Sequence, residues 1–111
     1  MITITDDNIS EILKDCDKYH FFYFSATWCG PCKKLLPLVE ELDNRNTNDK
    51  LKFYYVNIDE NEKLCSSCNI KKVPSYAIVK DKKVLGLESG SDITKVGNLL
   101  KDCLKDINEI S

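Results

Sequence analysis

The chain has 111 residues, the length of one ordinary domain and too short for a second independent core. Hydrophobic residues make up 42% and charged residues 31% of it, a balance that fills a core and excludes an intrinsically disordered chain. The net charge is -2 and Arg45 is the one guanidinium among sixteen Lys and Arg, which excludes a phosphate-tracking surface and, with it, nucleic acid as a partner.

The first seven residues carry neither a basic start nor a continuous apolar stretch, so no secretory signal is read there. No apolar run nears the roughly 20 residues that span a bilayer, so no membrane partner is expected. Ile9, Ile12, Leu13 and Cys16 recur at helical spacing after Asp6, Asp7 and Asn8 as candidate caps, predicting a helix over about 8–18. The run His-Phe-Phe-Tyr-Phe-Ser at 20–25 is too continuously apolar for a half-solvated strand and suits a central one. Leu35, Leu36, Val39 and Leu42 mark a second helix that ends in the polar stretch 43–49, and 52–58 reads as the next strand. Strand, helix and strand in that order make a βαβ unit, hence a parallel pair with a right-handed crossover.

A short helix is expected over about 60–69. Pro74 then opens a strand at 75–79, and Lys80-Asp81-Lys82-Lys83 turns into a strand at 84–88, an antiparallel hairpin. Ile93, Val96, Leu99, Leu100, Cys103, Leu104 and Ile107 trace a closing amphipathic helix with Ser91 or Asp92 as its cap. The expected architecture is α/β: one domain over 1–111, with a mixed sheet of four or five strands and helices on both faces.

Six cysteines in 111 residues, about 5%, fall short of the roughly 8–10% that marks a disulfide scaffold. With no signal peptide, the expected compartment is the reducing cytoplasm, where paired cysteines are catalytic or metal-binding rather than structural. Trp28-Cys29-Gly30-Pro31-Cys32 lies where the aromatic strand hands over to the second helix. A helix N-terminus offers unpaired N–H groups and a positive dipole end, both of which favour thiolate over thiol. Cys29 is therefore expected to be the more acidic and more exposed thiol. Cys32, about one turn further on, is placed to attack a mixed disulfide formed on Cys29. Pro31 suits the first turn, where its missing N–H costs nothing.

From Ile2 to about Ile107 the chain resembles the thioredoxin family. Besides Trp28 to Cys32 followed by Lys33, it carries Pro37 five residues after Cys32, Val56-Asn57-Ile58-Asp59 at a strand end, Val73-Pro74-Ser75, and Gly90 sixteen residues after Pro74. The resemblance implies a thioredoxin fold and reduction of protein disulfides, with Cys29 as nucleophile and Cys32 as resolving cysteine. It implies no cofactor beyond the Cys29-Cys32 redox disulfide, and a low potential like that of the reducing members. It further implies a cis Pro74 facing the Cys29 sulfur, Val73 backbone pairing with an extended substrate, and a docking collar around Trp28 and Pro74. The implied partners are protein disulfide substrates and a recycling reductase such as thioredoxin reductase, met by a monomer. A thioredoxin-like binding or chaperone module with weakened redox activity is the alternative.

The sequence departs from that family at Tyr23, where a buried Asp is usual, at Tyr55, where a Lys usually neighbours it, and at Ser25, where a Trp is common. A phenol with a pKa of about 10 is a poor base at neutral pH, so Cys32 is expected to ionise with difficulty and resolution to be slow. Tyr23 itself reads first as a core side chain at an alternate strand position, and second as a catalytic hydroxyl.

Cys65-Ser66-Ser67-Cys68 is a second Cys-x-x-Cys, for which three readings compete. One is packing, a second is a secondary redox pair, and a third is a zinc site with Cys29 and Cys32, the metal-free readings being preferred. Cys16 and Cys103 sit on apolar stripes and are expected to be core residues. His20 stands apart from any second ligand and reads as structural.

Overall fold

The computed structural model describes residues 1–110. Five strands form one sheet: β1 (Ile2–Thr3), β2 (Tyr19–Ser25), β3 (Leu51–Asn57), β4 (Ser75–Lys80) and β5 (Lys83–Ser89). Four α-helices accompany them: α1 (Ile9–Lys14), α2 (Gly30–Arg45), α3 (Glu62–Ser67) and α4 (Ile93–Ile110). The spatial order is β1-β3-β2-β4-β5. β2 runs parallel to β3 and antiparallel to β4, and β4 runs antiparallel to β5. This is the mixed α/β sheet that the sequence predicts.

The aromatic strand takes the centre because every one of its side chains is buried. Alternation divides them between two layers. Phe21 and Tyr23 pack with Phe53, Tyr76 and Ile78 under Leu35 and Val39 of α2 and Val96, Leu100, Cys103 and Ile107 of α4. Phe22 and Phe24 pack with Tyr54, Val56, Ala77 and Val79 against Ile9, Ile12 and Leu13 of α1 and Leu64 of α3. Covering helices on both sides explain why β2 tolerates no polar face.

Three boundaries differ from expectation. β1, a two-residue strand paired in parallel with Tyr54 and Tyr55 of β3, is too short to leave a periodic signal. α1 stops at Lys14 rather than near residue 18, because Tyr19 already donates its N–H to the Lys50 carbonyl at 2.6 Å. That pairing leaves only Asp15–Lys18 to turn the chain, and Asp15 leaves helical geometry at φ -80°, ψ 82°. Cys16 consequently falls beyond the helix and is exposed, correcting its assignment to the core; Cys103 is buried as expected. The helix expected over 60–69 splits into a 3-10 turn, Ile58–Glu60, and the six residues of α3.

At the far edge, Asp81 and Lys82 both have positive φ (50° and 63°), the pattern of a two-residue hairpin turn. Beyond it the register slips between Ile78 and Val79, whose partners are Gly86 and Val84. Leu85 is thus a bulge, which blunts an otherwise open edge strand. A Cβ on Gly86 would lie 2.6 Å from Leu99 Cδ1, so glycine there lets α4 lie close on β5. Of the two candidate caps of α4, Asp92 serves: its Oδ1 accepts the Thr94 N–H at 2.9 Å.

Candidate functional site

The end of β2 delivers Ala26 to Cys29 to the start of α2, and Cys29 is the N-cap of that helix. Cys29 and Cys32 are joined by a disulfide, with Cα atoms 5.3 Å apart. Two Cys at i and i+3 reach one another here because the first lies just outside the helix, in extended geometry at φ -93° and ψ 108°, while the second is inside it. Cys32 donates its N–H to Cys29 Sγ at 3.2 Å, so the helix terminus presents a donor to that sulfur. Cys29 is 6% exposed and Cys32 fully buried, which places Cys29 nearer solvent, as expected.

The two cysteines and Ala26 form a small apolar cluster closed by half-buried Ile58 and Val73. The Val73-Pro74 peptide bond is cis, Pro74 is buried, and its carbonyl accepts the Gly90 N–H at 3.0 Å. Gly30 and Pro31 are exposed on the first turn of α2. Trp28 is 66% exposed, and its indole N–H donates to Asp59 Oδ2 at 3.0 Å. Asp59 is visible in the sequence only as part of a strand-end pattern, and its bond to Trp28 has no local sequence signal because 31 residues separate them.

Tyr23 is fully buried in the layer under α2, and its hydroxyl donates to the Cys32 carbonyl at 2.8 Å. The residue that sequence reasoning places in the core thus also touches the site. Burial, with lesser effects of Tyr55 and Tyr76, pushes its phenol well above the ordinary value of 10, which rules it out as a proton acceptor at neutral pH. The Tyr55 ring lies 6.4 Å from that of Tyr23.

Cys65 and Cys68 stand apart from this site. They are free thiols, half-buried and buried, in the layer under α1 and α3 rather than in the cluster of Cys29 and Cys32. Among the described residues no three His, Cys, Asp or Glu side chains gather to hold a metal ion, and the two cysteine pairs lie in different clusters. Burial raises both thiols, Cys68 to about 11, which favours the packing reading. His20 is also buried, with Nδ1 3.3 Å from the Tyr54 hydroxyl and Nε2 3.2 Å from the Asp15 carbonyl. It lies outside the site.

The family model described as Thioredoxin matches residues 1–103. Thioredoxin of Bacillus subtilis (strain 168) is 34% identical over 84 residues, spanning 76% of this chain and 73% of that protein. Thioredoxin of Rickettsia prowazekii (strain Madrid E) is 32% identical over 103 residues, 93% of this chain and 90% of that one. Among solved structures, Fasciola hepatica thioredoxin superposes with a TM-score of 0.81 at 25% identity, covering 92% of this chain and 98% of that one.

Proposed function

The chain belongs to the thioredoxin family and is a thiol-disulfide oxidoreductase, and from that premise we propose that Cys29 is its nucleophile and Cys32 its resolving cysteine. The observation that carries the assignment is the Cys29 sulfur at the helix N-cap, within 3.2 Å of the Cys32 N–H. Thiolate is stabilised there by a donor and a dipole end.

In the proposed cycle the Cys29 thiolate attacks one sulfur of a protein disulfide, forming a mixed disulfide and expelling the first substrate thiolate. Cys32, deprotonated, then attacks Cys29 Sγ, expels the second substrate thiolate and leaves the Cys29-Cys32 disulfide. Two electrons pass to the substrate, and the two expelled thiolates take up two protons. A reductase of the thioredoxin reductase class returns two electrons to the disulfide. The chemistry runs on the redox disulfide itself, without a further cofactor. Exposed Trp28, Gly30 and Pro31, with Val73 and Pro74, form the surface on which the substrate segment lies.

The protein acts as one domain over 1–111, as a monomer in the reducing cytoplasm. Support comes from four cysteines left unpaired, Cys16, Cys65, Cys68 and Cys103, which suits a compartment that keeps thiols reduced. Among the described residues no helix is long and apolar enough to cross a membrane.

Insulin reduction driven by dithiothreitol tests the assignment. Turnover is expected in the unaltered chain and is abolished by Cys29→Ser, while Cys32→Ser halts with substrate covalently held on Cys29. Turnover that survives Cys29→Ser would overturn it, and no turnover above the dithiothreitol background would leave only a binding module.

A further inference from the structure

The turn of α2 that carries Cys32 lies next to a gap in the helix's own hydrogen bonding. Gly30 and Pro31 precede it, and Pro37 lies inside the helix, where it offers no N–H to the Lys33 carbonyl four residues earlier and crowds it. Two anchors compensate. The N–H of Cys32 is held by Cys29 Sγ at 3.2 Å, and its carbonyl by the Tyr23 hydroxyl at 2.8 Å. The first anchor runs through the sulfur that changes partner during the reaction. The second touches no sulfur, and its donor belongs to the central strand of the sheet, packed into the core on that face.

Resting on the dithiol cycle above, we propose that Tyr23 is a positioning residue of the resolving step: its hydroxyl holds the Cys32 backbone, keeping Cys32 Sγ beside Cys29 after the disulfide opens and while the mixed disulfide persists. Tyr23 neither gives nor takes a proton in the cycle. Burial keeps the phenol protonated, so its hydroxyl remains a hydrogen-bond donor at neutral pH. Attack by Cys29 on the substrate does not draw on it; attack by Cys32 on Cys29 does, because its rate depends on how often the two sulfurs are aligned.

Reduced protein mixed rapidly with 5,5'-dithiobis(2-nitrobenzoate) separates the two steps. Cys29 attack releases one thionitrobenzoate, and closure by Cys32 releases a second. Cys16→Ser and Cys65→Ser are made in the background to silence the accessible thiols. Tyr23→Phe, which removes only the hydroxyl, is expected to leave the first phase unchanged and slow the second about tenfold, as for loss of one buried hydrogen bond. Tyr76→Phe is the control, removing another hydroxyl in the same layer, one that donates to the Gly90 carbonyl at 3.1 Å. It should change neither phase.

Both phases unchanged in Tyr23→Phe, or both slowed alike, would overturn the proposal. Should Tyr23→Phe fail to fold, NMR of the unaltered reduced protein decides. A slowly exchanging Tyr23 hydroxyl proton close to the Cys32 Hα is expected, and its absence after reduction would overturn the proposal equally. A parent protein that releases no thionitrobenzoate through Cys29 would bring down the oxidoreductase reading itself, a result distinct from a failure at Tyr23.

Discussion

His20 carries the protein's pH response near neutrality. A carbonyl only accepts, so Nε2 bears the proton given to the Asp15 carbonyl, and Nδ1 accepts from the Tyr54 hydroxyl. Burial lowers its pKa below the ordinary 6.5, outweighing the Asp15 contacts that raise it. As pH falls, the unfolded chain therefore takes up this proton first. Stability is full above about 6.5 and declines as pH drops toward the folded-state pKa. A proton NMR titration should place the His20 midpoint under 6.5, and the thermal midpoint should fall between pH 7 and 5, a slope that His20→Gln flattens. The histidine's structural role was legible from its isolation in sequence. Its acceptor and donor were not, since Tyr54 lies 34 residues away. The same distinction applies to Tyr23, whose burial follows from strand alternation while its bond to Cys32 depends on how α2 settles over the sheet.

Among elements, those with a long periodic stripe were legible and those defined by pairing were not. α2 and α4 follow their apolar repeats closely. β1 exists only because Ile2 and Thr3 meet β3, and the end of α1 is dictated by the pairing of β2. The β4–β5 hairpin was predicted, yet its turn breaks a local preference. Lys82 sits at φ 63°, a left-handed conformation that costs an ordinary side chain about 1 kcal/mol. Asp81, beside it at φ 50°, is of a type that tolerates this region. Lys82→Gly is accordingly expected to stabilise the fold by about 0.5 kcal/mol, the relief being partly offset by greater freedom of the unfolded chain. Urea unfolding checks it, and a lower midpoint would mean that Lys82 makes contacts worth more than its backbone strain.

At the scale of the whole molecule, two apolar layers share one sheet, and each holds a buried thiol: Cys68 in the layer that α1 and α3 cover, and Cys103, on α4 itself, in the layer that α2 and α4 cover. Burial raises them to about 11 and about 12, so neither reacts readily in the native state. If the layers melt as one cooperative unit, alkylation of both in rising urea should follow a single transition, whereas Cys16 and the half-buried Cys65 label without it. Separate transitions would show that one layer opens alone. The two-layer plan was legible in the unbroken aromatic run of β2, because a strand with no polar face needs cover on both sides. That strand also imposes an order on synthesis. Its parallel partner β3 follows within a few dozen residues, but its other neighbour, β4, begins only at Ser75. While the ribosome makes the intervening segment, Phe21 to Phe24 have one edge of backbone unpaired. A nascent chain stalled before β4 therefore leaves that edge open to pairing with another chain.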